Sequence, residues 1–358
     1  MEKTHAFKLA GTAMFILSAA TSALAADGFK LRFPISGTLG GEIVAPLPSE
    51  GWVGSVAITD VNVDKVVGND GNPLKLPQTG RVVAANPLTE YTSITALGVK
   101  QRLTQANMTL ARMLSPDVQG GKLALAINIP YALSFDADLN FSGDTPQKII
   151  ALGGQTAANT YQAKLAAAGP ANSVNTSGLG DIETSLLWEK TVDKFKIVGG
   201  ATLALPTGNY SYTEGVMKPN IGYGKYYTFR PGVGVAYNAS ENVTLGVRGS
   251  LGFNTENTTN KVRSGDFYVI DLAAAFKTPV GVFGPHVTML RQYTDDKKNG
   301  QIDTLLGANR VSITGAGAFA TFPIKSIGAG LNLSYMKTID TRNSLSGSFV
   351  QARLSKAF

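Results

Sequence analysis

The chain has 358 residues and a formal net charge of +7, and it contains no cysteine, which excludes disulfide frameworks, thiolate metal sites and cysteine nucleophiles. Charged residues make up only 16%, against roughly 25% in an average soluble protein, and glycine is abundant at 40 residues. No segment after the N-terminus has the ~20 consecutive apolar residues of a membrane-spanning helix.

The first 25 residues have the pattern of a secretory signal peptide. A positively charged start precedes a largely apolar stretch, 9–20, and residues 23–25 form a small-x-small cleavage site. The alternative is an uncleaved membrane anchor, for which the apolar run is short. Cleavage would remove His5 and leave His286 as the one candidate base for a Ser-His hydrolase, and it nearly excludes multi-histidine zinc chemistry.

Two segments differ in composition from the rest of the chain, and either could close a pore if the chain forms one. Residues 26–50 are rich in glycine and proline, and we expect this periplasmic N-terminal segment to lie at the periplasmic mouth. The loop 136–179 contains a predicted helix that begins near Asp144 and Pro146 and is interrupted at Gly153-Gly154. Either segment could plug the lumen or simply be mobile.

Residues 51–358 alternate with the period of two that is typical of β-strands. For example, apolar residues at every second position from Leu123 to Phe135 share one face, and small or polar residues such as Asn128 and Ser134 oppose them. A soluble sandwich would carry more Lys and Glu on its wet face, so apolar faces toward lipid and small polar faces inward predict an all-β fold, a transmembrane antiparallel β-barrel. The twelve predicted strands are 51–66, 99–114, 122–135, 180–190, 194–206, 226–239, 242–256, 265–277, 281–295, 309–322, 329–341 and 347–358. A change of phase near Thr59, in the first strand, predicts a β-bulge there.

The predicted connections provide an independent test of this topology. Those after even-numbered strands are short, such as 191–193 and 240–241, whereas most of those after odd-numbered strands are much longer, such as 136–179. Outer-membrane barrels have short periplasmic turns and long outer loops, which requires an even number of strands and both chain ends in the periplasm.

The chain ends in an aromatic residue, Phe358, preceded by alternating apolar residues at Val350, Ala352 and Leu354. This ending resembles the signal by which bacterial outer-membrane barrels are recognised by their assembly machinery. Lys356 departs from that pattern.

A series of short motifs resembles the outer-membrane transporter family named for the meta-pathway of phenol degradation. Their order and spacing match over about 178–358 and more loosely over 28–135, whereas 136–177 follows no pattern of that family. The resemblance implies an outer-membrane channel associated with uptake of aromatic or other hydrophobic compounds. The motifs are Gly178-Leu179-Gly180-Asp181, Leu205-Pro206-Thr207-Gly208-Asn209-Tyr210, Pro219-Asn220-Ile221-Gly222, Tyr226-Tyr227-Thr228-Phe229-Arg230-Pro231, Phe253-Asn254-Thr255-Glu256-Asn257, Ser264-Gly265-Asp266 and Thr294-Asp295-Asp296.

Motif residues concentrate at the predicted outer ends of the strands, where they could form the vestibule of a channel. Aromatic faces would bind a ring, and carboxylates and amides would bind its polar groups. The alternative is that they are turn-formers and interfacial aromatics that build the barrel rim. The substrate-binding candidates are Tyr210, Tyr226, Tyr227, Glu256, Asn257, Asp266 and Asp295.

Several basic residues fall opposite the apolar faces and are predicted to line the pore. A charge that faced lipid at the midplane would cost about 2–4 kcal/mol, which favours the lumen. With Glu183 and Asp271 they form either an electropositive channel for anionic solutes, with Arg230 and Arg248 as a ladder of charge, or an ion-pair network that fills the barrel. The pore-lining candidates are Lys196, Arg230, Arg248, Arg310 and Arg353.

These patterns predict a monomeric barrel in the bacterial outer membrane that acts as a passive channel for small hydrophobic or aromatic compounds. We expect it to contact outer-membrane lipid and lipopolysaccharide, and we expect no catalytic residue, metal, cofactor or nucleic-acid partner. The G-x-G-x-x-A string at 315–320 lies in a strand with no helix after it, unlike a dinucleotide site. The alternatives are a barrel enzyme acting on lipids, which the lone His286 argues against, and a structural or adhesive barrel whose loops bind a partner.

Overall fold

The computed structural model describes residues 15–17, 32, 51–82, 89–212, 219–302 and 310–358. It contains one α-helix, α1 (Gln147–Asn172), a 3-10 turn at Lys325–Ile327, and eighteen strands within these ranges. The strands are β1 (Phe15–Leu17), β2 (Trp52–Val67), β3 (Lys75–Val82), β4 (Thr89–Val118), β5 (Gly121–Ser142), β6 (Val174–Leu179), β7 (Glu183–Val192), β8 (Phe195–Ala204), β9 (Thr228–Asn238), β10 (Val243–Asn254), β11 (Val262–Arg263), β12 (Phe267–Thr278), β13 (Gly281–Gln292), β14 (Lys297–Lys298), β15 (Gln301–Ile302), β16 (Ser312–Ile324), β17 (Ala329–Arg342) and β18 (Ser344–Ala357).

Twelve of these strands pair antiparallel with their neighbours and close into a barrel. Their order is β2-β4-β5-β7-β8-β9-β10-β12-β13-β16-β17-β18, and β18 pairs with β2 to complete the circle. Backbone hydrogen bonds of 2.8 and 2.9 Å between Trp52 and Phe358 join the first and last barrel residues. The predicted twelve-stranded barrel is therefore confirmed.

The strand bounds agree with the prediction within a few residues, except where β4 and β5 extend much further outward. The prediction ended these strands near 99 and 135, whereas they reach Thr89 and Ser142. β1 pairs with β3, and Arg32 is described, but the remainder of 1–50 lies outside the described residues. The signal peptide and the periplasmic segment therefore stay predictions.

The connections divide between the two ends of the barrel as predicted. At one end the turns are short, 119–120, 193–194, 239–242, 279–280 and 325–328, and we take this end as periplasmic. Gln119 and Gly120 both have positive φ, 52° and 73°, which suits a tight two-residue hairpin. The other end, the outer end, carries β3, β6, α1 and the small sheet of β11, β14 and β15.

The outside of the barrel wall is an apolar belt. Outward-facing residues such as Val56, Met108, Leu245 and Val350 are exposed, with Val56 at 52%. Phe195 and Tyr237 contact each other near the periplasmic end, with ring centroids 5.0 Å apart, as interfacial aromatics do. Within the described residues, no helix has the length and apolar character needed to span a membrane.

The predicted bulge near Thr59 is wrong. β2 pairs with β4 without interruption from Trp52 to Val63, so the alternation continues through Thr59. Val61 and Val63 therefore face the interior, whereas Val56 faces out. The change of phase marks the place where the lipid belt ends and an apolar interior begins, and the β2–β18 register instead skips Asp64.

A bulge in β5 was missed, and it turns Phe135 inward. The β4–β5 register skips Leu133, so that residues beyond it exchange faces. Leu133 is exposed on the belt, but Phe135 is 1% exposed inside the barrel, contrary to the prediction that both share the lipid face.

Helix α1 covers the outer end of β5, where β6 no longer pairs with it. Ser173 at the helix end accepts a hydrogen bond from the backbone of Leu139 at 3.0 Å, and Gln162 donates to the carbonyl of Gly143 at 2.9 Å. Gly169 is packed so closely on the β5 backbone that a Cβ would overlap it. The helix kinks at Gly154, which has φ 59°, where the sequence predicted an interruption. The helix thus protects a strand edge that would otherwise be unpaired.

Tags inserted in the chain would test which end is outside. A tag near Gly154 should be accessible to antibody on intact cells, and a tag between Thr191 and Asp193 should be hidden until the outer membrane is broken. The reverse pattern would contradict the orientation, and a protease-resistant folded band on gels is the control for insertion of both proteins.

Candidate functional site

Three basic side chains on the inner wall each lie beside a carboxylate. Lys196 is 3.2 Å from Glu189, Arg230 is 2.5 Å from Glu183, and Arg248 is 2.7 Å from Asp271. Their positions follow from strand alternation, which turns them away from the belt.

The paired geometry is that of an ion-pair network rather than a ladder of uncompensated charge. Arg248 donates to Asp271 through two nitrogens, and Thr288 donates its hydroxyl to the same carboxylate. The side chains of Arg230 and Asp271 are almost fully buried, so each needs its own partner, Glu183 for Arg230 and Arg248 for Asp271.

Two further pore-lining candidates have different positions. Arg353 faces the interior on β18, next to Asn332 of β17 in the register. Arg310 was predicted to line the pore, but it lies before β16 at the outer rim, where it donates a hydrogen bond to Asp295 at 2.8 Å. The hydrogen bond from Arg310 lowers the pKa of Asp295, and Asp295 in turn raises the pKa of Arg310.

Arg32, from the N-terminal segment, is buried near the outer end of the barrel. It is 3% exposed, and its guanidinium lies 2.8 Å from Asp181, donates to the carbonyls of Gly224 and Tyr226, and stacks 4.0 Å from the centre of the Tyr226 ring. Its own carbonyl accepts a hydrogen bond of 2.9 Å from Arg230. Arg32 therefore joins the N-terminal segment to the ion pairs of the wall.

Asp181 organises the loops around this arginine. Besides Arg32, its carboxylate accepts hydrogen bonds from the backbone of Gly208 at 2.8 Å and of Tyr223 at 2.9 Å. Gly208 packs against Gly222 so closely that a Cβ on either would overlap the other backbone. The sequence prediction omitted Arg32 and Asp181, although Asp181 ends one of the quoted motifs. Nothing in the sequence around Arg32 indicates its partner 149 residues away.

Most substrate-binding candidates join the outer loops to one another. Asn257 donates to the hydroxyl of Tyr210 at 3.1 Å and accepts from the backbone of Thr259 at 3.0 Å. Asp266 accepts two hydrogen bonds from Arg263, at 2.9 and 3.1 Å. These contacts fit a role in building the rim, because the side-chain atoms that would bind a solute already form hydrogen bonds within the protein.

The remaining candidates do not converge on one pocket. Tyr226 is buried beside Arg32, but alternation turns Tyr227 to the outer face, where it is 48% exposed, so Tyr227 is corrected from vestibule to belt. Glu256 is exposed, 3.9 Å from Lys261. Asp295 pairs with Arg310 at the rim, as described above.

An apolar cluster inside the outer half of the barrel was not predicted. It combines inward-facing residues of β2, β4 and β5 with Leu74 and Ile221 from outer connections, where a polar interior was expected. The change of phase near Thr59 was the signal for it, but it was interpreted as a bulge. Its buried members are Val63, Val66, Leu74, Leu97, Val99, Ala132, Phe135, Ala137 and Leu139.

His286 faces the interior but acts as a bridge between strands. Its Nε2 lies 3.0 Å from the carbonyl oxygen of Tyr335, and the ring crosses Gly317, where a Cβ would overlap both groups. Gly317 of the 315–320 string is thus required by packing. Among the described residues, no group of three or more His, Asp or Glu side chains is placed to hold a metal ion.

The family of the chain follows from its match to a family model. Residues 90–354 match the model described as "Putative MetA-pathway of phenol degradation". The chain belongs to this family. The match also includes residues 136–177, where the sequence analysis found no pattern of this family. With a closed barrel and an apolar belt, the family member is an outer-membrane protein. Among curated protein sequences, none matches the chain.

Solved structures share the architecture. An outer membrane channel from Pseudomonas putida F1 has a TM-score of 0.62 and 14% identity, covering 87% of this chain and 97% of that one. This likeness establishes the fold alone. The monoaromatic hydrocarbon channel CymD (TM-score 0.41, 12% identity, 94% and 98% coverage) and the Pseudomonas putida toluene transporter TodX (0.37, 10%, 94% and 96%) are more distant, and no argument rests on them.

The ion pair on β10 and β12 predicts a specific pattern of stability. Arg248→Met should lower the free energy of unfolding by about 3–5 kcal/mol, because it leaves Asp271 buried without a cation. The double variant Arg248→Met/Asp271→Leu should recover most of this loss and keep the ion selectivity of the unmodified barrel, since the charge of the lumen is unchanged. Urea unfolding in bilayers and reversal potentials measure the two effects. A single variant as stable as the parent would contradict the pairing.

Proposed function

We propose that this chain is an outer-membrane channel for passive uptake of small hydrophobic or aromatic compounds, and that its solutes are neutral rather than anionic. The observation that carries the proposal is the apolar cluster on the inner wall. Aliphatic and aromatic side chains in the lumen offer a favourable environment to an apolar ring. The channel described for the Pseudomonas putida F1 structure, with the same fold, supports the class of function.

The paired charges favour neutral over anionic solutes. Because Arg230 and Arg248 each have a carboxylate partner, the wall offers an anion little net attraction. An anion would leave its hydration shell on entry without full compensation. We infer that an electropositive, anion-selective channel is the less favoured arrangement.

Polar substitutions of matched size test the role of the cluster. Val63→Thr with Val99→Thr should slow uptake of a neutral aromatic such as toluene several-fold, because a buried hydroxyl disfavours an apolar solute. Val56→Thr with Val350→Thr, on the lipid-facing side, is the matched control and should leave uptake near the original rate. Equal rates in both variants, with folded protein in both, would refute the proposed path.

We also propose that the N-terminal segment, 26–50, is a plug anchored by Arg32. Small inward-facing residues such as Ala57, Thr59 and Ala124 are almost fully buried, although a twelve-stranded wall is too wide for such side chains to fill. The buried contact of Arg32 with Asp181 supports this arrangement.

Loss of the anchor should open the channel. Arg32→Ala removes a buried ion-pair partner, a change of about 3 kcal/mol that would shift the closed-to-open equilibrium on the order of a hundred-fold. Single-channel recordings should show a larger mean conductance, whereas Arg112→Ala, outside the barrel over Trp52, should not. Unchanged conductance of Arg32→Ala would show that the segment does not close the pore.

Simple experiments separate a channel from a lipid-acting enzyme and from an adhesive barrel. Hydrolysis of lipid by the purified protein would favour the enzyme, and loss of cell attachment with intact uptake in a deletion strain would favour the adhesin.

We propose that the protein is a monomer and that the assembly machinery inserts it into the membrane by recognising Phe358 at the end of the chain. The ring of Phe358 supports this role because it is exposed on the outside of the barrel, beside Gly54.

A further inference from the structure

An apolar stripe crosses the inner wall of the barrel obliquely. Its members lie on inward faces and follow one another in the strand register, so that each is in line with the next on the adjacent strand. Leucine, glycine or alanine fills the positions between the larger side chains. The stripe, here called the inner stripe, runs from Phe135 on β5 through Val61, Phe349, Met336 and His286 to Ala236 on β9.

The inner stripe descends from the outer end of the barrel to the periplasmic end, because the strands are tilted. Phe135 lies about 14 residues above the periplasmic end of β5, His286 about five above that of β13, and Ala236 about two above that of β9. At ~3.3 Å per residue and the usual strand tilt, the stripe descends by about 30 Å. This distance is comparable to the height of the lipid belt, so the stripe crosses the whole membrane-spanning wall.

Polar groups that already have partners border the inner stripe on both sides. On the outer side, Asp271 is paired with Arg248 and accepts a hydrogen bond from Thr288. On the periplasmic side, Gln351 donates to Thr59 at 2.9 Å. An apolar ring that moved off the stripe would cover these polar groups and gain no hydrogen bond in return. The borders therefore confine a neutral aromatic solute to the stripe.

His286 interrupts the apolar surface of the stripe with a hydrogen-bond acceptor. Its Nε2 lies 3.0 Å from the carbonyl oxygen of Tyr335, and since a carbonyl can only accept, Nε2 carries the proton. In the neutral ring Nδ1 is then an acceptor. Nδ1 has no hydrogen-bond partner among the described residues, although His286 is only 3% exposed. A buried acceptor without a donor is rare, and it points to a donor that comes from outside the chain.

The surroundings of His286 suit the ring of such a donor. The Phe319 ring lies 6.3 Å from the imidazole, and Met336 follows His286 two strands along the stripe. A phenyl ring and a thioether both pack well against an aromatic solute. The region thus combines apolar surface for a ring with one acceptor for a polar substituent.

We propose that the inner stripe is the surface along which an aromatic solute descends, and that Nδ1 of His286 accepts a hydrogen bond from solutes that carry an O–H or N–H group. The inference rests on the proposed uptake function and on displacement of the proposed plug, because the stripe is buried in the closed barrel. It names the path of the solute and makes His286 the residue that distinguishes a ring with a donor from its donor-free counterpart.

Uptake by cells tests the role of His286. A deletion strain that expresses each variant is given phenol, aniline or toluene at low concentration, and the rate in cells without the protein is subtracted. Toluene is nearly isosteric with the other two but has no donor, so we expect its uptake by the unmodified protein to be several-fold slower. His286→Leu should abolish the preference and leave toluene uptake unchanged. His286→Asn has the shape of the leucine variant but carries an oxygen near the position of Nδ1, and it should keep most of the preference.

Both variants lose the bond to Tyr335, so a difference between them cannot come from that bond. Preference retained in His286→Leu, or lost equally in both variants, would overturn the role of His286. Toluene uptake without any preference in the unmodified protein would refute this inference alone, whereas uptake of none of the three solutes would refute the proposed function.

A second pair of variants tests the path. Met336→Gln places a polar group of similar size on the stripe and should slow uptake of all three solutes several-fold. Met113→Gln is the matched control, because Met113 faces inward near the periplasmic end of β4 and lies off the stripe. Equal rates in these two variants, each with a folded band on gels, would show that the solute does not follow the stripe.

Discussion

The structure depends on one constraint, that a chain in lipid must pair every backbone N–H and C=O within itself. For strands this requires a closed sheet, because an open edge would leave a row of unpaired groups in hydrocarbon. The closure of β18 on β2, ending in the reciprocal hydrogen bonds of Trp52 and Phe358, meets this requirement. Where the wall rises above the membrane the constraint is weaker, and there helix α1, not another strand, covers the edge of β5.

Because the barrel is closed, its inner face is separated from lipid and can carry polar side chains. Alternation turns every second residue inward, so the composition of one face is free to differ from the other. On β7 to β12 the inner face is built from acid–base pairs such as Glu183 with Arg230 and Asp271 with Arg248. On β2, β4 and β5 it changes along the strand, from small residues near the periplasm to the apolar cluster around Phe135. The two walls therefore offer a solute different chemistry.

The sequence predicted the strands because a period of two persists through each, and the loop lengths predict which end is outside. It failed where the period alone is ambiguous. A strand that changes from apolar-out to apolar-in, as β2 does after Ile58, has the same appearance as a bulge. The real bulge at Leu133 is hidden because apolar residues continue at every second position on both sides of it, although they face lipid before it and the interior after it. The inward direction of Arg230 and Arg248 was predictable from alternation, but the pairing of Arg32 with Asp181 was not, since no local pattern links residues so far apart.

The same ambiguity has a physical meaning for transport. Along β2 the apolar side chains face lipid as far as Ile58 and face the interior from Val61 onward, so one strand contributes to hydrophobic environments on both sides of the wall. On the proposed path a neutral aromatic would gain from the apolar cluster, whereas an anion would gain nothing there and would lose its hydration water. If the proposal is right, selection for neutral solutes does not need a dedicated binding pocket. It would follow from apolar residues on the inner face of the strands, which the closed barrel separates from the lipid-facing side.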